Sequence, residues 1–237
     1  MTEMYVLSAV CLLCVALFLV VRVAKGGAYG ILTKILASFA FMVVAIVGTV
    51  KTGMTTFAMF VVLGLLCGLI GDFVLDNKVV YKEHENIYLN AGMLSFGIGH
   101  VFYFVAATIL MVSLGVQKVG MNLSTFNILI SLAVSVVATT GIMLLSKPMK
   151  LDFGKFFFQT LAYTLILTFM SAYSVALAIA VPTLWTFAVG ICLIFLSDLI
   201  LSNQYFGGQQ DNKLFIVLNH AIYYLGQLFI AVTLFLV

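Results

Sequence analysis

Charge is what this sequence has least of. Only 8% of its 237 residues are Asp, Glu, Lys or Arg, against about 25% in soluble domains. Hydrophobic residues make up 64% of the chain, and its mean hydropathy is +1.25. That balance excludes a soluble globular domain and predicts an integral membrane protein. Basic clusters with interleaved aromatics are also missing, so nucleic acid is not an expected partner. The net charge of +3 says little more, because the lysines sit between apolar runs. The four cysteines, Cys11, Cys14, Cys67 and Cys192, all fall inside such runs. Cys11 and Cys14 spell C-x-x-C, but the βα context of a redox site is absent. Small packing residues are the simpler reading.

What remains is apolar sequence in long runs. A membrane span needs about 20 mainly apolar residues, and eight stretches qualify: 4–23, 31–50, 56–75, 90–113, 124–145, 156–178, 183–202 and 214–236. The first has no A-x-A-like cleavage site and reads as a retained span rather than a signal peptide. The connections are too short for a soluble domain, so residues 1–237 form one membrane-embedded, all-α domain with antiparallel neighbours. Lysine and arginine give its direction. Nine of them (Arg22, Lys25, Lys34, Lys78, Lys82, Lys147, Lys150, Lys155 and Lys213) belong to connections 1–2, 3–4, 5–6 and 7–8. The other side has only Lys51 and Lys118. The positive side is expected to be cytoplasmic, with both termini on the far side of a cell membrane.

The halves, about 1–118 and 119–237, resemble each other. An offset of 126 maps Gly64 to Gly190, Asp72 to Asp198 and Leu75 to Leu201. In the next run "HVFYF" from His100 answers "HAIYY" from His220, at an offset of 120. Such halves would form two parallel four-helix pseudo-repeats.

Acidic residues number eight, and six of them, including Asp76 and Glu85, fall in connections or ends, where water solvates them. Asp72, in "GDFVLD", and Asp198, in "SDLILS", fall within spans, each about one helical turn from the cytoplasmic end. The plain alternative is that both reach interfacial water and end their helices. Matched contexts favour function, which is the default reading of an intramembrane carboxylate. Gly64, Gly68 and Gly71 form a small-residue stripe beside Asp72, and such a stripe lets another helix come close. Two carboxylates closed off from water in one site can divide into a protonated acid and an ionised base.

The other polar side chains are weaker signals. His84, in "KEHEN", is expected in water. His220 reaches a depth near that of Asp198, whereas His100, ten residues past Asn90, lies deeper. Together with Tyr103, Tyr223, Tyr224 and Gln227, these histidines supply polar tips for interhelical hydrogen bonds or for a site. Asp and His show no established zinc spacing. Lys34 and Lys155 begin their spans, as snorkelling anchors or, more sharply, as contacts for a lipid phosphate.

In combination these residues resemble the YhhN-like lysoplasmalogenase family. The matching pieces are Lys34, "GDFVLD", "SFGIGHVFYF", "AYTLILTFM" with its Tyr163, "SDLILS" and "YYLGQLFI", spread over residues 34–230. One departure is visible: the family often has Lys-Pro, where here Ile35 follows Lys34. The resemblance implies hydrolysis of the vinyl ether of a lysoplasmalogen to a fatty aldehyde and a glycerophospho-base. Asp72 and Asp198 would be catalytic, with Lys34, Asn90, His100, Tyr103, Tyr163, His220, Tyr223, Tyr224 and Gln227 binding or supporting. A lysophospholipid is the implied partner, and no metal, nucleotide or redox cofactor is needed. Two carboxylates fit such chemistry, as they do the cation-like transition state of glycosidases. The rival is a proton-coupled transporter, which would also use intramembrane carboxylates and internal repeats. Against it, both aspartates sit towards one face rather than at the midplane.

Overall fold

Each apolar run becomes a helix. The computed structural model describes residues 2–113, 117–118 and 121–237. Its first four helices are α1 (Thr2–Ala24), α2 (Gly27–Thr52), α3 (Thr56–Asp76) and α4 (Glu85–Ser113). The second four are α5 (Leu123–Ser146), α6 (Phe157–Ala180), α7 (Trp185–Phe206) and α8 (Lys213–Thr233). Among the described residues, these eight carry segments long and apolar enough to cross a membrane. Between α4 and α5, Gln117 pairs with Asn122 and Lys118 with Met121 in a short antiparallel ladder.

Local chemistry sets several ends. The Thr55 hydroxyl caps α3 by accepting the Ala58 N–H, and the Asn212 side chain caps α8 by accepting that of Leu214. Gly53 closes α2 in the left-handed conformation, at φ 91°. Three boundaries differ from the sequence expectation by a full turn or more, and α2 is the first, starting at Gly27 rather than at residue 31. Helix α4 starts five residues early, because Glu85 in the first turn complements the helix dipole. Helix α7 continues to Phe206, because Gln204 is buried and the Tyr205 ring lies under the Lys78 ammonium. Asp198 therefore stands about two turns from the end of α7 rather than one.

Sequential hairpins pack as neighbours, and α8 also packs on α1 and α2 while touching α3. Aromatic contacts fix that junction. Phe18 of α1 meets the rings of His220 and Tyr224 edge-on at 5.1 and 5.6 Å, and Phe41 of α2 reaches Tyr224 at 6.2 Å. Outward positions such as Leu13, Leu32, Leu94, Val137 and Ile179 are exposed apolar side chains. A membrane-embedded bundle presents such a surface to lipid.

The glycine stripe on α3 admits side chains as well as a helix. A Cβ on Gly68 would lie 2.8 Å from the Gln227 amide, and one on Gly71 2.8 Å from the Phe96 ring. Backbones do meet at two glycine–glycine pairs among the described residues. A Cβ on Gly99 would lie 3.0 Å from the Gly64 carbonyl, and one on Gly226 2.8 Å from the Gly190 carbonyl. Gly64 and Gly190 keep the offset of 126, and Gly99 and Gly226 are 127 apart. These contacts do not follow the offset of 120 that pairs "HVFYF" with "HAIYY". In their frame His100 corresponds to Gln227, about two turns from His220.

Candidate active site

Four residues on two helices begin the site. Lys34 and Ser38 share a face of α2, and Asp72 and Asp76 share a face of α3, since residues four apart are helix neighbours. The two faces meet. Lys34 Nζ lies 3.3 Å from Asp72 Oδ1 and donates to Asp76 Oδ1 at 3.1 Å. Arg22, at the end of α1, donates to Asp76 Oδ2 at 3.0 Å. A Cβ on Gly30 would stand 3.1 Å from Arg22 Cδ, so the glycine leaves room for this reach. Lys34 and Asp72 are each 2% exposed and Asp76 is 3% exposed. The charges are thus held by one another rather than by water. Removing one member of such a buried cluster strands the others, at a cost of about 3–5 kcal/mol.

Asp72 is surrounded by donors. Its Oδ2 accepts the Ser38 hydroxyl at 2.7 Å and the Tyr223 phenol at 3.0 Å, while Oδ1 faces Lys34. A network continues behind these groups. Gln227 Nε2 donates to the Tyr223 oxygen at 2.8 Å, and Tyr103 donates to Gln227 Oε1 at 3.4 Å. Tyr224 donates to the Lys34 carbonyl at 3.0 Å and lies 2.9 Å from Ser38 Oγ. Each of these donors favours the charged form of the carboxylate, against the burial that disfavours it.

Asp198 has different company. Tyr163 of α6 donates to its Oδ2 at 2.7 Å. Its neighbour Ser197 turns to Asn219 of α8, donating to Oδ1 at 2.6 Å. No lysine or arginine among the described residues forms an ion pair with Asp198.

Asp72 and Asp198 line one cavity of about 480 Å³, whose wall also includes Lys34, Asp76, His220 and Tyr223. Arg22, Lys78, Glu85 and Asp211 mark its end at connections 1–2, 3–4 and 7–8, the side rich in lysine and arginine. His220 Nδ1 lies 2.8 Å from the Ile216 carbonyl. A carbonyl only accepts, so Nδ1 is the donor, and in the neutral ring Nε2 keeps a lone pair that can take a proton from water. The cavity therefore combines a carboxyl group facing a lysine, a second one without an ionic partner, and an imidazole. That set can deliver a proton, hold a positive centre and activate water.

Several expectations change here. Lys34 does not begin its helix or snorkel; it lies about two turns inside α2 and is buried against two aspartates. Asp76 is not solvated in a connection but ends α3 inside the ion cluster. Asn90 is exposed on α4 and does not line the cavity. His100 lines a separate apolar pocket with Phe104 and Leu132, its Nδ1 held by the Phe96 carbonyl. Tyr103, Tyr224 and Gln227 stand behind the wall, where they hold Tyr223 and Ser38. Tyr163, placed in the sequence reading by the family resemblance, holds Asp198 directly. His84 is exposed, as expected.

Arg22, Ser38, Asp76 and Asn219 were missed by sequence reasoning. The matched i, i+4 pairs, Lys34 with Ser38 and Asp72 with Asp76, were the available signal for two of them.

No curated protein and no solved structure matches the chain. The model of the YhhN family matches residues 29–234, a segment that holds every residue of the site just described except Arg22. This multi-pass, all-α membrane protein belongs to the YhhN family.

Proposed function

We propose that the protein hydrolyses the vinyl ether bond of lysoplasmalogens, releasing a fatty aldehyde and a glycerophospho-base. Membership of a lysoplasmalogenase-type family supports the reaction class. The observation that carries the mechanism is one cavity shared by two carboxylates of different surroundings, Asp72 among three donors and Asp198 with Tyr163 alone.

The reaction starts when a carboxyl proton moves to the β-carbon of the vinyl ether. The π electrons form the new C–H bond, leaving an oxocarbenium ion at the α-carbon. Asp198 is the proton donor in this scheme, and Asp72, kept anionic by Lys34, Ser38 and Tyr223, stabilises the cation. Water adds to the α-carbon, and its proton passes to a basic group of the cavity, Asp72 or His220. The hemiacetal then collapses: its hydroxyl proton passes to the Asp198 carboxylate, the carbon–glycerol oxygen bond breaks, the glycerol oxygen takes the proton held by the base, and the aldehyde leaves. One water is consumed and the carboxyl group is restored to its starting state.

Arg22 and Lys78 provide positive charge for the substrate phosphate at the connection end of the cavity. By the lysine and arginine asymmetry, that end faces the cytoplasm. The test is mass spectrometry of products after purified protein in detergent meets a panel of lysolipids. Aldehyde from alkenyl lipids, and none from saturated ether or ester lipids, supports the reading. Unchanged alkenyl lipid removes it.

A further inference from the structure

Asp198 borders two cavities of opposite character. One is the polar cavity shared with Asp72; the other is a pocket of about 200 Å³ between α4, α5, α6 and α7, beside the 5–6 connection. The second is walled by Met93, Met143, Leu167, Phe195 and other apolar side chains, with Asp198 its one acidic member. Leu75, Phe96, Leu201 and Tyr205 belong to both walls, so the two cavities adjoin along the flank of Asp198. Asp72 lines the polar cavity only.

We infer that the apolar pocket is the hydrocarbon-chain site of the substrate, and that it puts the vinyl β-carbon at Asp198. The inference rests on the proposed hydrolysis, and it adds an orientation. A lysoplasmalogen is polar at its phosphate end and apolar along one chain, with the vinyl ether at the junction. Two adjoining cavities, one charged and one apolar, match that polarity in a single pose. An apolar wall favours the hydrocarbon chain, whereas the charged headgroup belongs with Arg22, Lys78 and Glu85. In this pose the β-carbon, on the chain side of the ether, adjoins Asp198, and the α-carbon, on the glycerol side, faces the Asp72 cavity. Protonation and water attack are thereby separated in space as the chemistry requires. The pocket wall also includes Met143 and Met149 of α5 and the connection after it. Methionine is adaptable enough to accept chains of differing length and kink.

Two experiments test the site. The first fills it from opposite walls, with Met93→Trp and Met143→Trp, and compares kcat/KM for alkenyl lysolipids of about sixteen and about six chain carbons. The ratio of long-chain to short-chain kcat/KM should fall by about 10-fold or more in at least one variant, since each methylene excluded from an apolar pocket is worth a factor of about ten. A ratio unchanged in both well-folded variants overturns the chain site. The second uses a saturated ether lysolipid bearing a diazirine at the chain end, which binds without being cleaved. Photo-attachment should fall at Leu75 or within 89–96, 142–153, 160–167 or 195–206, the segments that wall the pocket. Attachment confined to α1, α2, α8 or the outer faces overturns it. This readout does not depend on turnover, so a failed chain site is distinguishable from a failed hydrolysis.

Discussion

Lys34 of α2 stands 3.3 Å from a carboxylate oxygen of Asp72 on α3, and both side chains are almost wholly out of contact with solvent. The lysine belongs to the machinery that holds the anion in place, with Asp76 and Arg22 completing the charge balance. Lys34→Met should therefore lower the unfolding free energy in detergent by about 3–5 kcal/mol. Asp76→Asn in the same chain should restore part of it, giving less than the sum of the single losses. Unfolding of the three variants in detergent measures the coupling, and strict additivity would contradict the cluster.

Donors to the carboxylates should matter in turnover more than in binding. Ser38→Ala and Tyr223→Phe each remove one hydrogen bond to Asp72, and Tyr163→Phe removes the bond to Asp198. A hydrogen bond to a charged group is worth about 1.5–3 kcal/mol, so kcat should fall about 10- to 100-fold with KM little changed. Steady-state kinetics with one alkenyl lysolipid decide. A rise in KM at constant kcat would move these residues from catalysis to substrate binding.

Lys78, just beyond the end of α3, offers a pH signature. Burial lowers its pKa to about 8, against the partial opposition of Glu85 and Asp76. The unfolded chain, with an ordinary lysine near 10.4, then binds more protons than the native one between these values. Stability should rise with pH from about 8 to about 10.4 and be flat with respect to this group below 8, where lysine is charged in both states and the cost of burying the charge is fully present. The gain should vanish in Lys78→Gln. Parallel pH–stability curves for the two proteins would contradict it.

The helices were legible because twenty apolar residues in a row leave little choice in a membrane. Asp72 and Asp198 were legible for the complementary reason, as charges where lipid would not have them. Asp76 was not, since a charge at the edge of an apolar run looks solvated until its partners are known. Those partners come from α1 and α2, more than forty residues away in the chain. His100 and His220 misled in another way. Similar words, "HVFYF" and "HAIYY", sit at different registers against their neighbours, and only the Gly64–Gly99 and Gly190–Gly226 contacts reveal the shift.

Orientation is open to a simple check. Lys147→Cys, in connection 5–6, and Lys51→Cys, in the last turn of α2, should label from opposite sides, with position 147 cytoplasmic. The native cysteines lie within helices and are replaced first. Labelling of both positions from one side would contradict the eight-span topology.

Aldehyde release by the asparagine variants bears most directly on the central claim, that Asp72 and Asp198 act as a unit on one vinyl ether. Asparagine keeps the shape of aspartate but carries no exchangeable carboxyl proton. Asp72→Asn and Asp198→Asn should each cut turnover by about 100-fold or more, and the double variant should be scarcely slower than the worse single one. Aldehyde made by the wild type in D₂O should carry one solvent deuterium on the carbon next to the carbonyl. Near-normal aldehyde release by either folded Asn variant, or aldehyde without that deuterium, would contradict the two-carboxylate mechanism.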